Sequence, residues 1–149
     1  MHERLLRVVL VLLAVQGAIV GVWATFTPAS FYDDFPGGGR TWVSADGPFN
    51  EHLVRDVGSL YLAVTVITVA AAIVLVRSLV VIASLGWIVQ GVPHLVYHLR
   101  HLDLYDTGDQ IANVTGLVFV PLLAIAALAL GVKMPASATT LSCVSSTSG

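Results

Sequence analysis

Four long stretches of the chain are apolar on every helical face, over residues 8–26, 53–76, 79–97 and 111–132. A hydrocarbon core of about 30 Å takes about 20 helical residues to cross, and each run is of that length. None carries the polar stripe of a helix that lies between a soluble core and water. In lipid the backbone must close its own hydrogen bonds, so helix is the default in spite of the glycines and β-branched residues within the runs. The pattern predicts an all-α fold, a four-transmembrane-helix bundle built from residues 1–134, in a multi-pass protein of the cell membrane. Residues 135–149 are rich in Ser and Thr without apolar periodicity and read as a disordered tail. The first run follows Arg4 and Arg7, as the core of a signal peptide would. It is longer than the usual apolar region of about 7–15 residues and Pro28-Ala29-Ser30 is a poor cleavage site, so a retained helix is expected.

Charge sets the expected orientation. Arg4, Arg7, Arg77 and Lys133 fall on one side of the membrane, Arg40 and Arg100 on the other, with Arg55 just inside the second span. By the positive-inside rule both the amino and carboxyl termini are cytoplasmic. Apart from Glu3, the acidic residues lie on the outer side. The second and third spans are separated by little more than Arg77-Ser78 and should form a tight antiparallel hairpin.

Composition excludes several classes of function. Hydrophobic residues make up 56 % of the chain and charged residues 11 %, against roughly 25 % charged in soluble domains. The principal partner is therefore the lipid bilayer. A net charge of −2 with scattered cations implies no nucleic-acid partner. The single cysteine, Cys143, permits no internal disulfide and no CxxC motif. Neither a glycine-rich phosphate loop nor a nucleophile elbow is present. Four spans without paired broken helices would need to oligomerise to transport a solute, so a homo-oligomer or a larger membrane complex remains an open partner.

The outer loop, residues 27–50, carries Phe31, Tyr32, Phe35, Trp42 and Phe49, aromatics that suit the headgroup level. Gly37-Gly38-Gly39 interrupts them and Asp46-Gly47-Pro48 marks a turn. The loop reads as an apron resting on lipid, with a lid over a site as the alternative. Gly17 and Gly21 in the first span form a small-xxx-small face for close helix approach. One alternative function is that of a structural interaction subunit packed onto a larger complex through this face.

Candidate chemistry gathers at the outer ends of spans two and three. Span two opens Asn50-Glu51-His52, followed by Arg55, Asp56 and Gly58. Span three ends with Gln90, Pro93, His94, Tyr97, His98 and His101. Four of the five histidines lie in these two stretches. Helical spacing places Gln90, His94, His98 and His101 on one stripe, Glu51 with Arg55, and His52 with Asp56. Ionised groups in a span are costly, so Arg55, Asp56 and the deeper stripe members should face the bundle interior and one another. Asp56 comes out level with His94, and Asp109 and Asn113 at the start of span four are placed to join them. Pro93 and Pro121 should kink their spans and free carbonyls nearby.

Three readings follow. The groups form a packed polar cluster with Glu51–Arg55 and Asp56–His94 pairs, perturbed without being functional. Or Glu51, His52, Arg55, Asp56, Gln90, His94, His98 and Asn113 line an outward-facing pocket for the polar head of a quinone or lipid. Or His94, His98 and His101 hold a metal, with a haem between His52 and His94 or His98 as a variant, in a membrane enzyme. No catalytic residue and no resident cofactor is identified by these patterns.

The span-two entry, Asn50-Glu51-His52-x2-Arg55-Asp56-x-Gly58 followed by Tyr61-Leu62-Ala63, resembles that of the DoxX-like group of small four-helix membrane proteins, including its bacterial branches. Chain size, the four-span plan and the aromatic loop after span one fit as well, over most of residues 4–132. The resemblance implies an accessory role beside membrane oxidoreductases and quinone-coupled sulfur chemistry, with Glu51, Arg55 and Asp56 as candidates beside His94 and His98.

Overall fold

The computed structural model describes residues 2–135; the expected disordered tail, Pro135 aside, lies outside the described residues. Five helices form the fold: α1 (His2–Phe26), α2 (Pro28–Asp34), α3 (Glu51–Val74), α4 (Arg77–Leu99) and α5 (Thr107–Gly131). All but the short α2 are long and apolar enough to cross a membrane. The all-α reading with four spanning helices holds. The helices outrun the apolar runs by several residues at some ends, because polar residues at the interface continue or cap them. Asn50 Oδ1 accepts the Leu53 amide at 3.1 Å and Asp106 Oδ1 the Asp109 amide at 2.9 Å, each satisfying an orphan donor of the first turn.

In the bundle α1 packs on α3 and α5, and α4 on α5 and α3. Its surface is apolar: Val66, Ile73, Val89 and Ile111 are each at least 65 % exposed. An apolar shell of this extent has no place on a water-soluble monomer, whereas lipid solvates it. The interior is filled by Leu6, Leu10, Leu13, Val80 and Trp87, with small residues such as Ala71, Ala83, Ala124 and Ala127 between them.

The α1–α3 seam is closest toward the end of the bundle that carries the 27–50 loop, called the outer end after its expected sidedness. A Cβ at Gly58 would stand 2.6 Å from the Thr25 amide nitrogen and 3.0 Å from the Ala24 carbonyl carbon. One at Gly17 would meet Thr65 and the Trp87 ring. Gly17 and Gly21 are thus buried inside the chain against α3, so the expected docking of this face onto another subunit is replaced by internal packing. Across α4 and α5, Gly91 faces Pro121 and Gly131 faces Val80. Both internal prolines lie in continuous helices.

The turn between α3 and α4 falls on Leu75 and Val76, ahead of the expected Arg77-Ser78. Leu75 adopts a left-handed conformation (φ 51°) and its amide donates to the Ala71 carbonyl, which closes α3 and lets Arg77 open α4. The outer loop is built, not slack. After α2, β1 (Pro36–Gly37) pairs antiparallel with β2 (Arg40–Thr41) around the glycine run, where Gly37, Gly38 and Gly39 all have positive φ. Phe31, Phe35, Trp23 and Trp42 meet mostly edge to face behind this hairpin.

Candidate functional site

The entry to α3 is scaffold. Val54, Gly58, Thr65 and Thr68 form its buried face, which turns Asp56, two residues from both Val54 and Gly58, to the opposite side. Asp56 pairs there with His52 at 3.4 Å, the two side chains 54 % and 88 % exposed. The expected Asp56–His94 pair is therefore absent, and His52 faces away from any position opposite His94 or His98. Glu51 pairs with Arg55 at 2.8 Å as the spacing predicted. Arg55 also donates to the Thr25 carbonyl in the last turn of α1, where the helix dipole is negative. Lying in the first turns of α3 with their side chains about half or more exposed, these groups need no interior partner, and that is why the inward-facing arrangement does not arise.

Below them a polar ladder joins α3 to α4. Gln90 donates to the Tyr61 hydroxyl at 2.8 Å, and Trp87 Nε1 to Thr68 Oγ1 at 2.8 Å, while Thr68 donates to the Val64 carbonyl. Gln90 is some 13 Å below the outer end of α4 at about 1.5 Å per residue, and its bond to Tyr61 fixes helix register.

The stripe on α4 breaks at its top. His94 and His98 stay together, their rings edge to face with centroids 4.8 Å apart. The helix ends at Leu99, so His101 leaves the stripe: its ring stacks on Tyr97 at 4.2 Å and its Nδ1 donates to the Tyr97 carbonyl at 2.7 Å. Among the described residues no group of three or more His, Cys, Asp or Glu is placed to hold a metal ion, so His94, His98 and His101 do not form the expected ligand set.

The loop is tied across this end of the bundle by contacts to α4, α5 and the connection between them. Arg40 Nε meets Asp109 Oδ1 of α5 at 2.6 Å, which draws Asp109 away from the cluster expected on span two. Tyr97 donates to Asp46 at 3.1 Å, and Tyr32 to the Gly47 carbonyl at 2.7 Å. Tyr105, in the short connection between α4 and α5, donates its hydroxyl to the Trp42 carbonyl at 3.1 Å and lies 3.5 Å from His98 Nδ1. Burial, followed by the negative charge of Asp46 and the neighbouring Tyr97 and Asp109, pushes the Tyr105 phenol up to about 12. With its proton committed to Trp42, Tyr105 accepts from His98 at the longer contact, leaving His98 Nε2 as an acceptor in the neutral ring.

In the loop and α5 two buried polar atoms lack partners: Trp42 Nε1, a donor, and Asn113 Oδ1, an acceptor. Asn113 is 3 % exposed. The Val80–Gly131 and Gly91–Pro121 contacts set the register of α4 and α5, which brings Asn113 level with His98, itself buried. Three further unpartnered atoms, on Gln16, Thr25 and Thr65, belong to α1 and α3. A cleft of about 150 Å³ opens nearby between the loop and α3, walled by Tyr32, Val43, Asp46, Leu53 and Val54 among others. Sequence reasoning singled out His94, His98 and Asn113 but missed Tyr105, Asp46 and the backbone of Trp42. The Tyr97–Asp46 and Tyr105–Trp42 contacts join positions more than 50 residues apart, and the Asp46-Gly47 turn is the one local signal. No protein-family model, curated protein or solved structure matches the chain.

Proposed function

We propose that this multi-pass membrane protein binds the polar head of a small amphipathic molecule, of the quinone or lipid class, at the outer ends of α4 and α5 beneath the first loop. The observation that carries the reading is two buried, unpartnered atoms, Trp42 Nε1 in the loop and Asn113 Oδ1 at the level of His98, at the end of the bundle where Tyr105 meets His98. A buried polar group without a hydrogen bond costs about 1–3 kcal/mol, and a bound molecule is a standard reason for a protein to keep one. Such a head must offer both an acceptor and a donor, as the two hydroxyls of a quinol do. Its apolar tail would leave between the helices into lipid.

In this proposal His94, His98 and Asn113 are ligand-facing, together with Trp42 and Tyr105. Arg55, steadied by Glu51, ties α3 to α1, His52 and Asp56 pair on the exposed side of α3, and Gln90 holds α3 against α4. Both termini are cytoplasmic and the site opens outward. The likeness of the span-two entry to DoxX-like proteins favours an accessory role beside a membrane oxidoreductase. Organic extraction of the detergent-purified protein followed by mass spectrometry tests the reading. A stoichiometric prenylated ring compound or lipid should leave with wild type and be missing from folded His98→Ala and Asn113→Leu proteins. Equal retention by all three, or nothing retained by wild type, would assign the two orphan atoms to water and sink the proposal.

A further inference from the structure

We infer that the seam between α1 and α3, on the side of the amino terminus, is a binding groove for one anionic phospholipid. The two helices are drawn together where Gly17, Gly21 and Gly58 remove side chains. Beyond that contact their larger residues leave a crevice of about 720 Å³, walled by Val11, Val15, Ala18, Val69 and Ile73 and ending at Arg7. Its lining also includes Ala14 and Ala72, both 8 % exposed, at the seam between the two helices. It opens on the face the bundle presents to lipid, where Val11, Val15 and Ile73 are each at least 48 % exposed.

The charge at its mouth selects the headgroup. Arg4 stands one turn before Arg7 on the same face of α1. Among the described residues neither forms an ion pair, although Glu3 lies a turn from Arg7. A guanidinium presents a planar fork of donors that matches a phosphate, and long cationic side chains near a helix end reach to the headgroup level. An apolar crevice that ends at Arg7, with Arg4 one helical turn beyond, is complementary to a lipid with acyl chains and a net negative head, whereas a zwitterionic head would return a cation to the arginines. The groove and the outer site are at opposite ends of the bundle, and neither inference depends on the other.

The experiment uses the full chain in nanodiscs of phosphatidylcholine with a minor share of phosphatidylglycerol, followed by native mass spectrometry of the released protein. Wild type should keep phosphatidylglycerol well above its share in the disc. Arg7→Gln should lower that enrichment roughly fivefold, the factor for about one cation's contribution at a membrane surface, with Arg4→Gln lowering it further. Ala18→Phe, which fills the crevice, should release both lipids. The arginine variants lie at the exposed end of α1 and test the point even if Ala18→Phe fails to fold. Retention that follows the disc composition, or enrichment unchanged in Arg7→Gln, overturns the inference. So does Val11→Cys crosslinking between copies in the same discs, which would give the groove to a second copy of the chain.

Discussion

At the scale of single residues, Tyr105 ties the loop to the bundle: its hydroxyl reaches the Trp42 carbonyl and stands against His98, and the phenol is pushed up to about 12. Because the folded state holds the proton more tightly than the ordinary tyrosine value of 10.0, this contribution is full below about pH 10. It is lost as pH rises through about 12. Thermal melts should therefore stay level from neutral pH to about 10 and then fall, with an alkaline limb that Tyr105→Phe removes. At neutral pH the same variant should cost about 1 kcal/mol, the usual net worth of one hydrogen bond. An alkaline limb unchanged in Tyr105→Phe would place the titration elsewhere. The residues at this scale were only partly legible in the sequence. The i,i+4 pairs Glu51–Arg55 and His52–Asp56 follow from helical spacing alone. Which way they face does not: that is set by Val54 and Gly58 packing on α1, and it turned Asp56 outward.

Among elements, the α1–α3 seam is the least forgiving contact. A Cβ on Gly58 would run into the Thr25 backbone, which cannot swing aside as a side chain would. Gly58→Ala should lower stability by about 1–3 kcal/mol, the range for overpacking a close contact. Gly116 has open space where its Cβ would go, so Gly116→Ala should be neutral or gain up to about 1 kcal/mol of helix propensity. Unfolding in mixed micelles separates the two; equal effects would mean that the seam is looser than described. The spanning helices were readable because a run apolar on all faces has one stable solution in lipid. The small-xxx-small spacing of Gly17 and Gly21 was readable as a contact face, though not its partner. What escaped were the short pieces: α2, the hairpin after it, and the turn at Leu75, where a left-handed leucine replaces the expected break. Each is decided by packing against distant residues.

For the whole molecule, the account is a bundle with a built outer cap and an apolar cleft near the amino terminus. The positive-inside distribution predicts sidedness. In a Cys143→Ser background, Ala45→Cys should react with a membrane-impermeant thiol reagent on intact cells, and Ser78→Cys only after the membrane is opened. The reverse pattern would invert the topology and leave the bundle itself untouched. The outer end was legible as a concentration of polar residues, while the loop that covers it could not be seen, because Arg40–Asp109, Tyr97–Asp46 and Tyr105–Trp42 join positions far apart in sequence. The claim that most depends on this arrangement is a ligand site under that loop. The measurement that tests it most directly is a thermal-shift titration of the detergent-solubilised protein with a short-chain quinone and its quinol. Wild type should show a saturable rise in melting temperature that is lost in His98→Ala and Asn113→Leu. No shift, or a shift of the same size in both variants, would contradict it.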